Sequence, residues 1–111
     1  MEFYDLSVKQ GETFNQVLIF KDPDGTVMDL TGFTGYCQVR PDPDSDDLTA
    51  TMTVAITAAD GKVVLSLSAA TTAAIPTGSY AYDFAMKSSG NDVRYYIGGK
   101  FCVLPSVTEI S

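Results

Sequence analysis

The most regular pattern of hydrophobic and polar positions lies between residues 78 and 104. Bulky side chains alternate there with small or polar ones in two runs, which is the period of a strand buried on one face. The residues between the runs, 88–92, read SSGND, a composition typical of a tight turn. We therefore predict one long hairpin with a β-bulge at Gly98-Gly99, whose inward side chains are Tyr80, Tyr82, Phe84, Met86, Val93, Tyr95, Ile97, Phe101 and Val103.

Shorter segments with the same kind of pattern fill the rest of the chain. They predict strands at residues 4–9, 13–20, 26–30, 33–40, 48–57 and 62–68. The continuous apolar run VLIF at 17–20 indicates a strand that enters the centre of the core. Residues 69–75 are rich in alanine and precede Pro76, which predicts one short helical turn. The whole pattern predicts an all-β fold, an antiparallel β-sandwich of about 7–8 strands.

Length and composition agree with one folded domain that spans residues 1–111. The chain is 45% hydrophobic and contains six phenylalanines and six tyrosines, enough apolar surface to offset the entropy lost on folding. No apolar run approaches the roughly 20 residues that span a bilayer, and the first ten residues lack the pattern of a signal peptide. We expect a protein that is made in the cytosol and not anchored in a membrane.

The charge balance narrows the classes of partner. Fourteen acidic and seven basic residues give a formal net charge of -7, which repels phosphate backbones and anionic lipids. We therefore expect neither nucleic acid nor a membrane surface as a partner. The two cysteines, Cys37 and Cys102, each lie inside a predicted strand, and the cytosol is reducing, so we expect free thiols.

The residues that carry most enzyme chemistry are scarce. The chain has no histidine, so no serine or cysteine has its usual base, and the commonest ligand of transition metals is missing. Asp83 lies in mid-strand, but a carboxylate pair such as glycosidases use needs a second group beside it. No glycine-rich phosphate loop is present, since Gly98-Gly99 lies in a strand, where such a pair marks a bulge or a close backbone approach. We expect no catalytic residues, no enzymatic activity and no cofactor.

The acidic loop at residues 41–47, PDPDSDD, has part of the spacing of a calcium-binding loop. Asp42, Asp44 and Asp46 have the first three spacings of a calcium-binding loop. The match then ends, because Asp47 stands where glycine makes the sharp turn and Thr53 stands where a bidentate glutamate belongs. We interpret the loop as an exposed, mobile run of solvated charge and assign no metal site to it.

The order and spacing of several short motifs resemble a known family. The motifs are residues 10–14 (QGETF), 24–25 (DG), 29–34 (DLTGFT), 38–40 (QVR), 61–68 (GKVVLSLS), 78–83 (GSYAYD) and 99–108 (GKFCVLPSVT). In these motifs the chain is similar to the small immunoglobulin-like domains of tailed-phage virion proteins. The likeness is greatest to the N-terminal domain of upper baseplate proteins and to short tail or head accessory proteins.

This resemblance implies an immunoglobulin-like sandwich and a structural role in a virion. The protein would be made in the host cytoplasm and would act, without enzymatic activity, as an interaction module of the tail or baseplate. Its partners would be other virion structural proteins, with several copies held on a symmetric assembly. Two alternatives stay open: a decoration protein on the phage capsid, and a module that binds a carbohydrate or protein on the host surface.

We predict that contacts with other virion proteins involve the ends of the chain and the acidic loop. The first segment, residues 2–9, and the tail, residues 106–111, are short and extended in character, and we expect neither to order itself alone. A neighbouring protein could fix them by strand addition. The candidate interaction residues are Glu2, Phe3, Tyr4, Asp5, Asp42, Asp44, Asp46, Asp47, Val107, Glu109 and Ile110.

Overall fold

The predicted hairpin forms the centre of the larger of two β-sheets in a computed structural model that describes residues 2–107. Nine strands lie within these residues. They are β1 (Glu2–Phe3), β2 (Leu6–Lys9), β3 (Phe14–Ile19), β4 (Thr34–Arg40), β5 (Ala50–Thr51), β6 (Thr53–Thr57), β7 (Lys62–Leu67), β8 (Gly78–Lys87) and β9 (Val93–Leu104). Between them lie a 3-10 turn (Ala58–Asp60) and the helix α1 (Ala69–Ala74), which confirms the predicted helical turn.

The strand order is that of an immunoglobulin-like sandwich. The larger sheet has the order β1-β9-β8-β4-β5, with β2 also paired to β9, and the smaller sheet has the order β3-β7-β6. The two groups β4-β8-β9 and β3-β7-β6 correspond to the C, F, G and B, E, D strands of immunoglobulin domains. The prediction of a wholly antiparallel sandwich needs one correction, because β1 and β2 both run parallel to β9.

A second immunoglobulin feature lies at the start of β8. The hydroxyl of Tyr80 donates a hydrogen bond to the carbonyl of Pro76 at 2.6 Å. This is the geometry of the tyrosine corner, in which a tyrosine near the start of the F strand bonds to backbone a few residues upstream. In antibody domains a disulfide cysteine follows two residues later, and here that position is Tyr82.

The cysteines lie on opposite faces of the larger sheet. Cys37 on β4 is buried in the core, whereas Cys102 on β9 lies beside Ser79 on the outer face. Strand β8 separates the two, so their Cα atoms are at least about 10 Å apart, beyond the roughly 7 Å limit of a disulfide. Both are free thiols, as predicted.

Inward side chains of both sheets form the core. On β8, Tyr82, Phe84 and Met86 are buried as predicted, while Tyr80 is half-buried. The rings of Phe14 and Phe101 meet edge to face with centroids 5.3 Å apart, which joins the smaller sheet to the larger one. The other large, fully buried side chains are Leu30, Leu65, Val39, Val63 and Val103.

The β-bulge lies two residues before the predicted Gly98-Gly99. Phe84 pairs with Ile97 and Ala85 pairs with Tyr95, so Tyr96 is the extra residue. The bulge reverses which side chains face inward on the preceding part of β9. Tyr96 packs against Phe20, with ring centroids 5.2 Å apart, whereas Val93 and Tyr95 are exposed, contrary to the prediction.

Two further strand predictions need correction. The run at 17–20 is not buried on both faces: Val17 and Ile19 are about half exposed, because the outer face of the smaller sheet is uncovered. Residues 26–30 form no strand beyond a single bridge between Lys21 and Val27. Hydrogen bonds to two carboxylates order this part of the chain instead: Asp24 accepts the N–H of Thr26, and Asp29 accepts the hydroxyl and the N–H of Thr31. These bonds lower the pKa of both carboxyl groups.

The predicted strand at 48–57 divides at Met52. Its first part, β5, pairs with β4 in the larger sheet, and its second part, β6, pairs with β7 in the smaller one. One segment therefore connects the two sheets, with Ala50, Met52, Val54 and Ile56 facing inward. Within residues 2–107, no helix has the length and apolar character needed to cross a membrane.

Replacing Phe84 with alanine tests the core directly. Phe84 has no exposed surface, so the substitution removes a buried ring and leaves a cavity. We expect Phe84→Ala to lower the free energy of unfolding by about 3–5 kcal/mol, measured by urea denaturation. Val93→Ala on the exposed part of β9 is the control and should change it by less than about 1 kcal/mol. Equal losses in the two variants would contradict this assignment of the faces.

Candidate functional site

A groove runs along β8 on the outer face of the larger sheet. Opposed residues of neighbouring strands point to the same face, so the register defines rows of side chains across it. One row contains Arg40, Ala81 and Lys100, and the next contains Gln38, Asp83 and Gly98. Because β8 contributes small outward residues, the centre of the sheet is lower than its sides. The space is about 670 Å³, and we call it the β8 groove; its walls and floor include Phe3, Asp5, Gln38, Arg40, Pro41, Asp42, Pro43, Ser79, Ala81, Asp83, Gly99 and Lys100.

Two tyrosines form the next row along β8. Tyr36 on β4 and Tyr95 on β9 both lie opposite Ala85, and each is about half exposed. Ala85 is buried although it points outward, because the two tyrosines flank it. The rows of Asp83 and Ala85 are two residues apart on β8, about 7 Å, so the carboxylate and the rings share one surface.

The first wall of the groove is the N-terminal segment. The N–H of Tyr4 donates to the carbonyl of Gly98 at 2.8 Å, and the Asp5 carboxylate accepts the N–H of Lys100 at 2.9 Å. Gly99 permits this approach, since a Cβ at that position would lie 2.7 Å from the Asp5 carboxylate. The alternative reading of the glycine pair, a close backbone approach, is thereby confirmed. Leu6 on β2 is buried, so the prediction that residues 2–9 cannot order themselves is wrong.

Tyr82 anchors this wall from beneath. Its hydroxyl donates to the carbonyl of Tyr4, and only 4% of the residue is exposed. Burial raises the pKa of the Tyr82 hydroxyl above its ordinary value of 10.0, with a further contribution from nearby Cys37 and Asp5. The neutral, hydrogen-bonding form of Tyr82 is therefore the one that the fold requires.

The second wall is the start of the acidic loop, which Arg40 orders. The Arg40 guanidinium donates to the carbonyl of Asp46 at 3.0 Å, to the carbonyl of Ser45 at 3.4 Å and to the Gln38 side chain at 2.9 Å. The Asp42 carboxylate accepts the N–H of Asp44 at 2.9 Å, which closes the turn. The loop is exposed, as predicted, and its backbone is tied to the end of β4 by these hydrogen bonds.

The predicted interaction residues divide into three groups. The groove brings together Phe3, Asp5 and Asp42, which come from two distant parts of the chain, and Tyr4 lies at its wall. Asp44, Asp46 and Asp47 are exposed on the loop but do not line the groove, and Glu2 lies beside Ile97 on β9. Val107 is exposed where the described chain ends, and Glu109 and Ile110 lie outside the described residues.

The groove contains charges of both signs. The Asp5 carboxylate and the Arg40 guanidinium are committed to backbone groups, whereas the Asp83 carboxylate has no hydrogen-bond partner among residues 2–107. No group of three or more aspartate, glutamate or cysteine side chains in that range is arranged to hold a metal ion. The arrangement can bind a ligand through an apolar rim, one uncommitted carboxylate and the ammonium of Lys100.

Neither the models of known protein families nor the curated proteins contain a match to this chain. The functional residues that sequence reasoning missed are Tyr36, Arg40, Tyr95 and Lys100. Only Arg40 had a local signal, its position directly before a run of acidic residues. Strand register, which joins residues that are distant in the chain, places Lys100 in the groove and Tyr36 and Tyr95 in the adjoining row.

Alkaline titration tests the anchor beneath the groove. Burial raises the pKa of Cys37 from 9.0 to about 12 and that of Tyr82 above 10.0, so the unfolded chain loses these protons first. The two neutral groups contribute their full stabilisation below pH 9. Above the ordinary pKa of each group, its contribution to the free energy of unfolding falls by about 1.4 kcal/mol per pH unit. We expect the free energy of unfolding to fall from pH 9 and more steeply from pH 10.

Two variants separate the groups in this titration. Cys37→Ala should shift the beginning of the loss to about pH 10, and Tyr82→Phe should remove the steeper part above it, as measured by urea denaturation across pH. A stability that stays constant from pH 8 to 11 in the unmodified protein would contradict the burial of both groups.

Proposed function

We propose that this protein is a non-enzymatic structural component of a tailed-phage virion, an interaction module of the tail or baseplate. Its β8 groove holds a segment of another virion protein. The immunoglobulin-like strand order and the tyrosine corner agree with the family that the motifs resemble. The observation that carries the proposal is that the N-terminal segment and the acidic loop, distant in sequence, form opposite walls of one groove.

The groove has the properties of a protein-binding surface. Phe3 is 82% exposed on one rim and the exposed prolines Pro41 and Pro43 lie on the other, so a bound segment would cover apolar surface on both sides. A space of about 670 Å³ accommodates a few side chains of a partner. The uncommitted Asp83 carboxylate on the floor favours a partner that presents a hydrogen-bond donor or a cation.

Filling the groove tests this proposal. Ala81 lies on its floor, and Ala81→Arg would occupy the space without removing a core side chain. Ala55→Arg is the matched control, because Ala55 is also central in its strand and exposed on the outer face of the other sheet. We expect the Ala81 variant to fold but to be incorporated into phage particles at least about tenfold less than the control, measured by quantitative mass spectrometry.

The position of the protein in the particle decides between tail and head. A gold label on the control variant should appear on the tail or baseplate in electron micrographs. A label spread over the shell would instead support the alternative of a capsid decoration protein. Normal incorporation of Ala81→Arg would show that the groove is not the contact with the virion.

The tyrosine row supports a second candidate function, binding of a host-surface carbohydrate or protein. Exposed tyrosine rings provide flat apolar surfaces with a polar edge, and Tyr36 and Tyr95 lie one row from the Asp83 carboxylate. A sugar could stack on a ring while its hydroxyls donate to the carboxylate.

Removing the two rings tests this second function. If it is correct, the purified protein should bind a saccharide on a glycan array, and Tyr36→Ala with Tyr95→Ala should weaken that binding by about tenfold or more, equivalent to about 1.4 kcal/mol. Tyr4→Ala, which removes an exposed ring at the groove wall, serves as the control. Absence of glycan binding, together with normal adsorption of particles carrying the double substitution, would exclude it.

A further inference from the structure

The smaller sheet has an open edge along the whole of β3. Its strand order is β3-β7-β6, and β2, which precedes β3 in the chain, pairs with β9 of the other sheet. Among residues 2–107, no strand other than β7 pairs with β3. The edge is therefore available to a strand from outside the chain.

The hydrogen-bonding groups at this edge can be identified. The N–H of Phe20 donates to Gly61 at 2.9 Å, just beyond the end of the pairing between β3 and β7. Residues in an antiparallel ladder alternate between bonding to one side and to the other, so Asn15, Val17 and Ile19 direct their backbone groups to the open edge. The carbonyl of Val17 accepts only a long contact of 3.4 Å from the Gln16 side chain.

The edge lacks the features that usually prevent strand pairing. Residues 13–20, TFNQVLIF, contain no charge, no proline and no glycine, although the chain carries fourteen acidic and seven basic side chains. Val17 is 50% and Ile19 51% exposed on the outer face of the sheet. An uncharged, unprotected edge with exposed β-branched side chains is suited to pairing with another strand.

We propose that two copies of this chain associate by antiparallel pairing of their β3 strands around a two-fold axis at Val17. The core-facing side chains of both copies must lie on the same side of the joined sheet. Each residue must therefore lie opposite a residue whose side chain points to the same face. In this register Val17 lies opposite Val17 of the second copy, and Asn15 lies opposite Ile19. The N–H and C=O groups of all three residues are then paired, with about six hydrogen bonds across the axis.

The charge of the chain favours a second copy at this edge. A net charge of -7 makes two copies repel, so a contact between them is most favourable where the surface carries no charge, and residues 13–20 meet that condition. The edge is also self-complementary, as a two-fold interface requires. The resulting sheet, β6-β7-β3 continued into β3-β7-β6, would be continuous across both copies.

Sedimentation measurements test the association. Pairing of one strand forms a small interface, so we expect a reversible monomer–dimer equilibrium between about 10 μM and 1 mM protein. Val17→Lys would oppose two like charges at the axis and should abolish the dimer. Ala55→Lys, on the same face of the other edge strand, should retain it. Added salt should strengthen association, because it screens the repulsion between the acidic copies.

Cross-linking tests the register independently of that variant. In a Cys102→Ser background, Val17→Cys should form a disulfide-linked dimer on oxidation, since the expected Cα separation of about 5.5 Å suits a disulfide. Asn15→Cys should link poorly alone but readily when mixed with Ile19→Cys. A protein that stays monomeric at 1 mM, a dimer that persists in Val17→Lys, or efficient self-linking of Asn15→Cys would each overturn the proposal.

Discussion

The alternation of side chains along β8 is the constraint on which the rest of the structure depends. Tyr82, Phe84 and Met86 point into the core, whereas Ala81 and Asp83 point outward and line the groove. Burial of the three large side chains determines the register of the strand, since a shift by one residue would turn all of them into solvent. The same register sets the outward positions of Ala81 and Asp83, so the core and the candidate site are two faces of one strand.

The route of the N-terminal segment has two consequences for the molecular surface. Pairing of β2 with β9 buries Leu6 and Val8, covers one edge of the larger sheet and builds a wall of the groove. The same pairing takes β2 away from β3 and leaves the edge of the smaller sheet open. The approach of the segment to β9 is close because Gly99 has no side chain. One choice of strand partner thus creates both surfaces for which we propose a function.

The two surfaces differ in the interactions that they can form. The groove offers side chains of mixed charge beside exposed rings and prolines, which suits recognition of a specific partner. The β3 edge offers backbone groups, which any strand of matching face can pair with, so its selectivity depends on the exposed Val17 and Ile19 and on the lack of charge. Contacts of both kinds in one small domain are compatible with a component of a symmetric assembly.

The sequence by itself determined the all-β class, the long hairpin, the helical turn and most inward positions, because alternation and turn residues act over a few neighbours. It did not reveal the bulge at Tyr96, since an extra residue depends on how β9 meets β8. The sequence did not predict the exposure of Val17 either, because an apolar run has the same sequence pattern whether or not a second layer covers the outer face of its sheet. Tyr36, Tyr95 and Lys100 belong to one surface only through pairing between distant strands, and that pairing is decided by tertiary packing.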